Sequence, residues 1–149
     1  MICPLKLKYI LFSRSNKVEE VLHCPWAEIA WYFPETREQY RFLGRITIVS
    51  KDEEDEKLAK ARTSAWKNMS DPGRQQFTWP TPGIPRLEEN GEASQPPMAL
   101  GKDDPVADPF CLCFMDVSAV DHLELKSNVR RKFSFDGDSN TWLQTEVNP

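Results

Sequence analysis

Three residues near the start of the chain could do chemistry together. Arg14, Ser15 and Lys17 lie in the stretch FSRSNKVEE, residues Phe12 to Glu20, between an apolar run and a helix-like one. Free backbone N–H groups at a helix start, with the helix dipole behind them, favour an anion. A hydroxyl and two cations sharpen that preference. Phosphate is the natural guest, because Arg and Lys supply charge-assisted hydrogen bonds. The same residues would also make an ordinary polar corner, with an N-cap serine and solvated cations.

Elsewhere the chemistry-bearing residues are sparse. His23 and His122 are isolated, with no nucleophile or acid partner in view, so neither is assigned to catalysis. The four cysteines, Cys3, Cys24, Cys111 and Cys113, match no zinc-binding spacing. Cys111 and Cys113 sit two apart in a strand-like run and should face the same way as small buried residues. No metal site is expected. Free cysteines fit a reducing, cytoplasmic setting.

The elements that position the corner are legible from periodicity. Lys6 to Phe12 reads as a strand and Asn16 to His23 as a short helix, ended by Cys24-Pro25. Ala27 to Phe33 alternates as a strand does, PETRE turns the chain, and Gln39 to Val49 is a long aromatic and β-branched strand. The two should pair as an antiparallel hairpin. Gly44, inside the second strand, marks a bulge or a close backbone approach.

The period then changes to helical. SKDE, Ser50 to Glu53, fits a capping box, and Leu58, Arg62, Ala65, Trp66 and Met69 recur at helical spacing, which predicts a helix from about Glu54 to Asn68. A short second helix should follow, capped by Ser70 or Asp71 with Pro72 in its first turn, and then a rigid loop, WPTPGIP. Residues 84–109 lack apolar periodicity and are expected to form a mobile surface loop. Strands resume over Phe110 to Val117, an extended piece Val120 to Leu125, Arg131 to Phe135 and Thr141 to Val147. Too few late helices remain for parallel crossovers. The expected class is mainly β, an antiparallel sheet with a few helices, open or closed as a barrel.

Bulk properties limit the function. The 149 residues suffice for one domain, and 40% hydrophobic with 28% charged residues is globular composition. A formal net charge of -4 argues against a general nucleic-acid binder. Lys6 and Lys8 interrupt any signal-peptide apolar region, and no apolar run approaches the roughly 20 residues of a membrane-spanning helix. Neither nucleic acid nor membrane is expected as a partner.

Several stretches, taken in order, carry a family resemblance. RSNKVEEV is followed by CPWAEIAWYFPETREQYRFLGRI, then AWKNMSDPGRQQFTWPTPG, FCLCFMDVSAVDHLELKSN and the ending WLQTEVNP. Together they resemble the pyridoxamine 5′-phosphate oxidase superfamily, in its branch with an Alr4036-type FMN-binding domain, from about Phe12 to Pro149 outside the 84–109 loop. The resemblance implies an FMN-binding split β-barrel that works as a homodimer, with FMN as cofactor and a vitamin B6 phosphate as substrate.

The resemblance also implies site residues. Ser15 and Lys17 match the serine and lysine that hold the FMN phosphate. Arg14 stands in for an arginine that Asn16 replaces. Gln39 matches the glutamine facing the flavin ring, and Arg130 or Arg131 corresponds to a late basic residue near it. Trp66, Ser70 and Arg74 fall where relatives grip the substrate phosphate, with Arg74 the leading candidate. No side-chain nucleophile is implied, since the cofactor carries the chemistry.

One departure stands out. The family's usual domain has a helix and further strands ahead of Phe12, including an R-x-V-x-F-R-G type motif, and nothing here matches them. The expectation is a single domain, 1–149, incomplete at its N-terminal side. It is either an oxidase of pyridoxine or pyridoxamine 5′-phosphate, a non-catalytic flavin-binding or dimerisation module, or a flavin reductase of the same fold with another substrate.

Overall fold

The computed structural model describes residues 5–81, 83 and 98–149. In chain order the elements are β1 (Lys6–Phe12), α1 (Asn16–His23), β2 (Trp26–Phe33), β3 (Glu38–Val49), α2 (Glu56–Lys67) and α3 (Asp71–Gln75). A 3-10 turn (Gln76–Thr78), β4 (Phe110–Glu124), β5 (Val129–Asp136) and β6 (Thr141–Val147) complete them. The strands form one sheet in the order β2-β3-β4-β5-β6, with β1 beside β4. The sheet is an open path, so the closed-barrel alternative is not realised among the described residues.

The contacts cluster into two compact units. The first holds β2, β5, β6, most of β3 and the greater part of β4. The second holds α1, α2, α3 and the start of β4, Phe110 to Cys113.

In the first unit the expected hairpin forms. β2 and β3 pair antiparallel from Trp26↔Arg45 to Phe33↔Glu38, and the turn closes with Arg37 at φ 61°. Gly44 marks a close approach: a Cβ there would lie 2.4 Å from Asp116 O and 2.8 Å from Met115 Cγ, on the neighbouring strand. The pieces 110–117 and 120–125, expected to be separate, are one 15-residue strand, β4. Ser118 does not break it, because its Oγ donates to Leu43 O at 3.3 Å. Such length lets Ala119 to Glu124 pair with β5 while Val117 N donates to Leu5 O at the head of β1.

In the second unit a ring cluster forms the core. Trp66, Phe77 and Phe110 meet edge-on at 5.2 to 5.8 Å, and Phe12 stacks on Phe77 at 4.3 Å. Offset and edge-on ring pairs of this kind add to the area that the rings bury. Phe110, Cys111, Leu112 and Cys113 are all buried, so this part of β4 is covered on both faces rather than on one. Burial pushes the Cys113 thiol up to about 12, which makes it an inert core group.

Helix α2 starts later than the capping box suggests. Asp55 is the cap, accepting from Lys57 N at 2.7 Å and Leu58 N at 3.1 Å, while Ser50 Oγ accepts from Asp52 N in the preceding turn. A carboxylate nearer the helix serves the dipole better than a hydroxyl five residues upstream. Ser70 caps α3 as expected, accepting from Gly73 N at 3.3 Å. Of the expected 84–109 loop, residues 84–97 lie outside the described residues. Within 98–109, Gly101 N donates to Asp104 Oδ2 at 2.6 Å and closes a turn.

Candidate functional site

The corner is built from β1 outward. Phe12 is anchored on Phe77, and Ser13 N donates to Pro109 O at 2.8 Å. Ser15 N donates to Phe12 O at 2.9 Å, which turns the chain into α1. Ser15 then acts as the helix cap: its carbonyl accepts from Val18 N at 2.9 Å and its Oγ lies 3.4 Å from Lys17 N. Arg14 and Lys17 are exposed and Ser15 is half-buried. The Arg14 guanidinium donates to Trp79 O at 2.8 Å, fixing the turn after α3 against the corner. Among the described residues the Lys17 ammonium has no ion-pair partner. The structure thus brings Arg14, Ser15 and Lys17 together, with one cation committed to the fold and the other free to meet an anion.

Gln39 and Arg130 belong to the other unit. Gln39 sits on β3 opposite Tyr32, on the face it shares with Arg41 and Leu43. In the orientation that satisfies its bonding, its Oε1 accepts from Arg41 Nε at 2.8 Å and Nη2 at 3.3 Å. Arg41 Nη1 lies 3.5 Å from Glu28 Oε1. A groove of about 480 Å³ runs across this unit, lined by Glu28, Arg41, Leu43, Asp121 and Lys132 among others.

Arg130 forks onto Asp121, with Nε–Oδ1 at 2.9 Å and Nη2–Oδ2 at 2.6 Å. Arg131 instead approaches Glu146 at 3.7 Å. The hydrogen bond from Arg130 holds the Asp121 carboxyl below the usual carboxylate range. The stabilisation is therefore complete above the unfolded Asp value of about 3.9 and is lost as pH falls through the lower folded value. Asp121→Asn should destabilise the chain at neutral pH and match the parent chain once pH is below that folded value, as read by urea unfolding at both pH values.

The expected substrate grip looks different in the structure. Trp66 is fully buried within the ring cluster. Ser70 spends its hydroxyl on the cap of α3. Arg74 is buried, and its guanidinium donates to Trp66 O at 3.1 Å, Met69 O at 2.5 Å and Leu100 O at 3.2 Å, and pairs with Asp71. These contacts tie the Arg74 guanidinium to carbonyls at and just beyond the end of α2.

Sequence reading missed one cluster. Tyr40 Oη donates to Glu38 Oε2 at 2.7 Å, His122 Nε2 lies 3.3 Å from the same oxygen, and the Tyr40 and His122 rings stack at 4.3 Å. His122 therefore does have an acid neighbour. The Nε2–Oε2 contact is at ion-pair distance but not aligned as a hydrogen bond. The hydrogen bond from Tyr40, with His122 and Lys126 nearby, lowers the Glu38 carboxyl. Only Glu38 and Tyr40, two apart on one strand, hinted at this cluster. The pairing with residue 122 is long-range.

Known proteins place this geometry. A curated relative from Arabidopsis thaliana, pyridoxine/pyridoxamine 5′-phosphate oxidase 2, is 35% identical over 139 residues, covering 91% of this chain and 69% of its own length. The chain belongs to the pyridoxamine 5′-phosphate oxidase family. The family's FMN-binding domain model matches residues 6–50, which contain both the corner and Gln39. A solved structure of a pyridoxamine 5′-phosphate oxidase-related FMN-binding protein from Nostoc punctiforme matches with 40% identity and a TM-score of 0.84, over 97% of this chain and 73% of that one. PhzG from Burkholderia lata, solved with tetrahydrophenazine-1-carboxylic acid, shares the fold at 17% identity and a TM-score of 0.68, over 95% of this chain and 68% of its own.

The family cofactor is FMN, and the corner suits its phosphate: a helix start, a serine cap and Lys17, whose ammonium has no ion-pair partner among the described residues, follow one another in the chain. Among the described residues, no helix is long and apolar enough to cross a membrane, and no cluster of His, Cys, Asp or Glu could hold a metal ion.

Proposed function

We propose that this chain is an FMN-dependent oxidase of pyridoxine or pyridoxamine 5′-phosphate that yields pyridoxal 5′-phosphate and works as a homodimer. The observation that carries the reading is the Arabidopsis relative of that activity, 35% identical across 91% of this chain, together with a phosphate-suited corner in the matched segment. When bound, FMN would supply the redox chemistry, with O2 as oxidant and hydrogen peroxide as its product, and the amine substrate would also consume water and release ammonia. Ser15 and Lys17 hold its phosphate. Arg14 contributes positive field and keeps the turn at Trp79 in place. Gln39 meets the ring from the sheet, and Arg130, neutralised by Asp121, stiffens the strands beside the groove.

The test is a visible spectrum of the purified chain after incubation with FMN and desalting, followed by assay with each B6 phosphate. A retained flavin band and formation of pyridoxal 5′-phosphate are expected. A retained flavin without product from either substrate would leave a flavin reductase of this fold. A colourless chain would leave a non-catalytic module.

A further inference from the structure

We infer that Arg41 is a positioning residue that sets which end of the Gln39 carboxamide meets the ligand ring, so that this position reads a hydrogen-bond acceptor. The inference rests on the reading that Gln39 faces the flavin.

A carboxamide has two unlike ends, an oxygen that accepts and an NH2 that donates, and alone in solvent it turns freely between them. A guanidinium only donates. Gln39 and Arg41 lie two apart on β3 and so share one face, which places the fork of Arg41 beside the amide. Ala30, opposite Arg41 on β2, is too small to compete for that space. Both Arg41 contacts, Nε at 2.8 Å and Nη2 at 3.3 Å, end on Gln39 Oε1. The reverse orientation would set NH2 against N–H donors. The NH2 end is therefore left pointing away from Arg41.

Glu28, 3.5 Å from Arg41 Nη1, steadies the guanidinium from the next strand. This pair is about half-exposed and weak, so it supports the arrangement without driving it. A group fixed in this way suits a planar ring whose edge carries a carbonyl oxygen or an imine nitrogen, as oxidised flavin does. It disfavours a ring edge that presents N–H there.

The experiment is an FMN fluorescence titration of the full chain, with the visible spectrum of each complex and a melting curve of each apo chain. Gln39→Ala should weaken FMN. Arg41→Leu should melt like the parent, bind FMN about fivefold more weakly, as expected for loss of one well-placed hydrogen bond, and change the shape of the flavin band. Arg41→Lys, which can still donate to Oε1, should recover most of the affinity and the band shape. Gln39→Glu, which offers acceptors only, should bind more weakly than Gln39→Ala.

If Arg41→Leu binds FMN with parental affinity and spectrum while Gln39→Ala does not, the positioning role is overturned and the flavin-facing role of Gln39 stands. If Gln39→Ala is itself silent, or the parent chain takes up no FMN, the reading beneath the inference falls with it.

Discussion

Arg74→Met should cost this chain about 3 kcal/mol of stability, because it takes the side-chain donor from the half-buried Met69 and Leu100 carbonyls and removes one of the bonds to buried Trp66 O. Arg74 is 2% exposed, and its guanidinium bonds to Trp66 O, Met69 O and Leu100 O while also pairing with Asp71. Trp66 O is among the last carbonyls of α2, where a helix leaves acceptors without a partner inside it, and Met69 O lies just beyond the cap at Asn68. A cation there also meets the negative end of the helix dipole. Methionine fills a similar volume but satisfies none of these oxygens. Arg74→Lys should recover little, since one ammonium on a flexible stem cannot reproduce a planar fork aimed at several acceptors.

The measurement is the urea midpoint of the apo chain, with soluble yield as a second readout. A structural arginine predicts a lowered midpoint without any ligand present. An arginine that served a substrate phosphate would leave the midpoint alone and raise only KM. A chain carrying Arg74→Met with a parental midpoint would return Arg74 to the list of substrate contacts.

Arg74 also shows where sequence reading stops. The resemblance placed it near a substrate phosphate. Its partners include Leu100, 26 residues away, and Trp66 in α2, neither of which belongs to α3. Features set by neighbours in the chain were legible: the alternation of β2 and β3, the PETRE turn, the Ser70 cap and the helical spacing of Leu58 to Met69. Gly44 could be read because a glycine inside a strand carries its own signal, though not which strand it approaches.

Long-range pairing hid the rest. The continuity of β4 depends on β3, β5 and β1 each finding part of it, and the partnership of Glu38 with His122 depends on that same alignment. At the site, the corner was legible because its residues are adjacent in the chain. The commitment of Arg14 to Trp79, 65 residues on, was not.

That commitment makes Lys17 the residue on which phosphate affinity should turn. Lys17→Ala should weaken FMN roughly ten- to a hundredfold, the range for one hydrogen bond to a charged group. Lys17→Glu should weaken it further, because a carboxylate would face a phosphate that is itself negative. Lys17 is exposed, so the loss should shrink as ionic strength rises and the ammonium's attraction is screened. Riboflavin, which has the same ring without the phosphate, separates the corner from everything else: its affinity should be equal in the parent chain and in both variants. Titration of each chain with FMN and with riboflavin, at low and at high salt, reads all of this in one series. If Lys17→Ala weakens both flavins alike, the lysine supports the fold or the ring pocket and the phosphate must be held elsewhere. If it weakens FMN alone, the anion field at the start of α1 is what the chain uses to tell a nucleotide-like flavin from the bare vitamin, with Ser15 and its helix cap supplying the geometry.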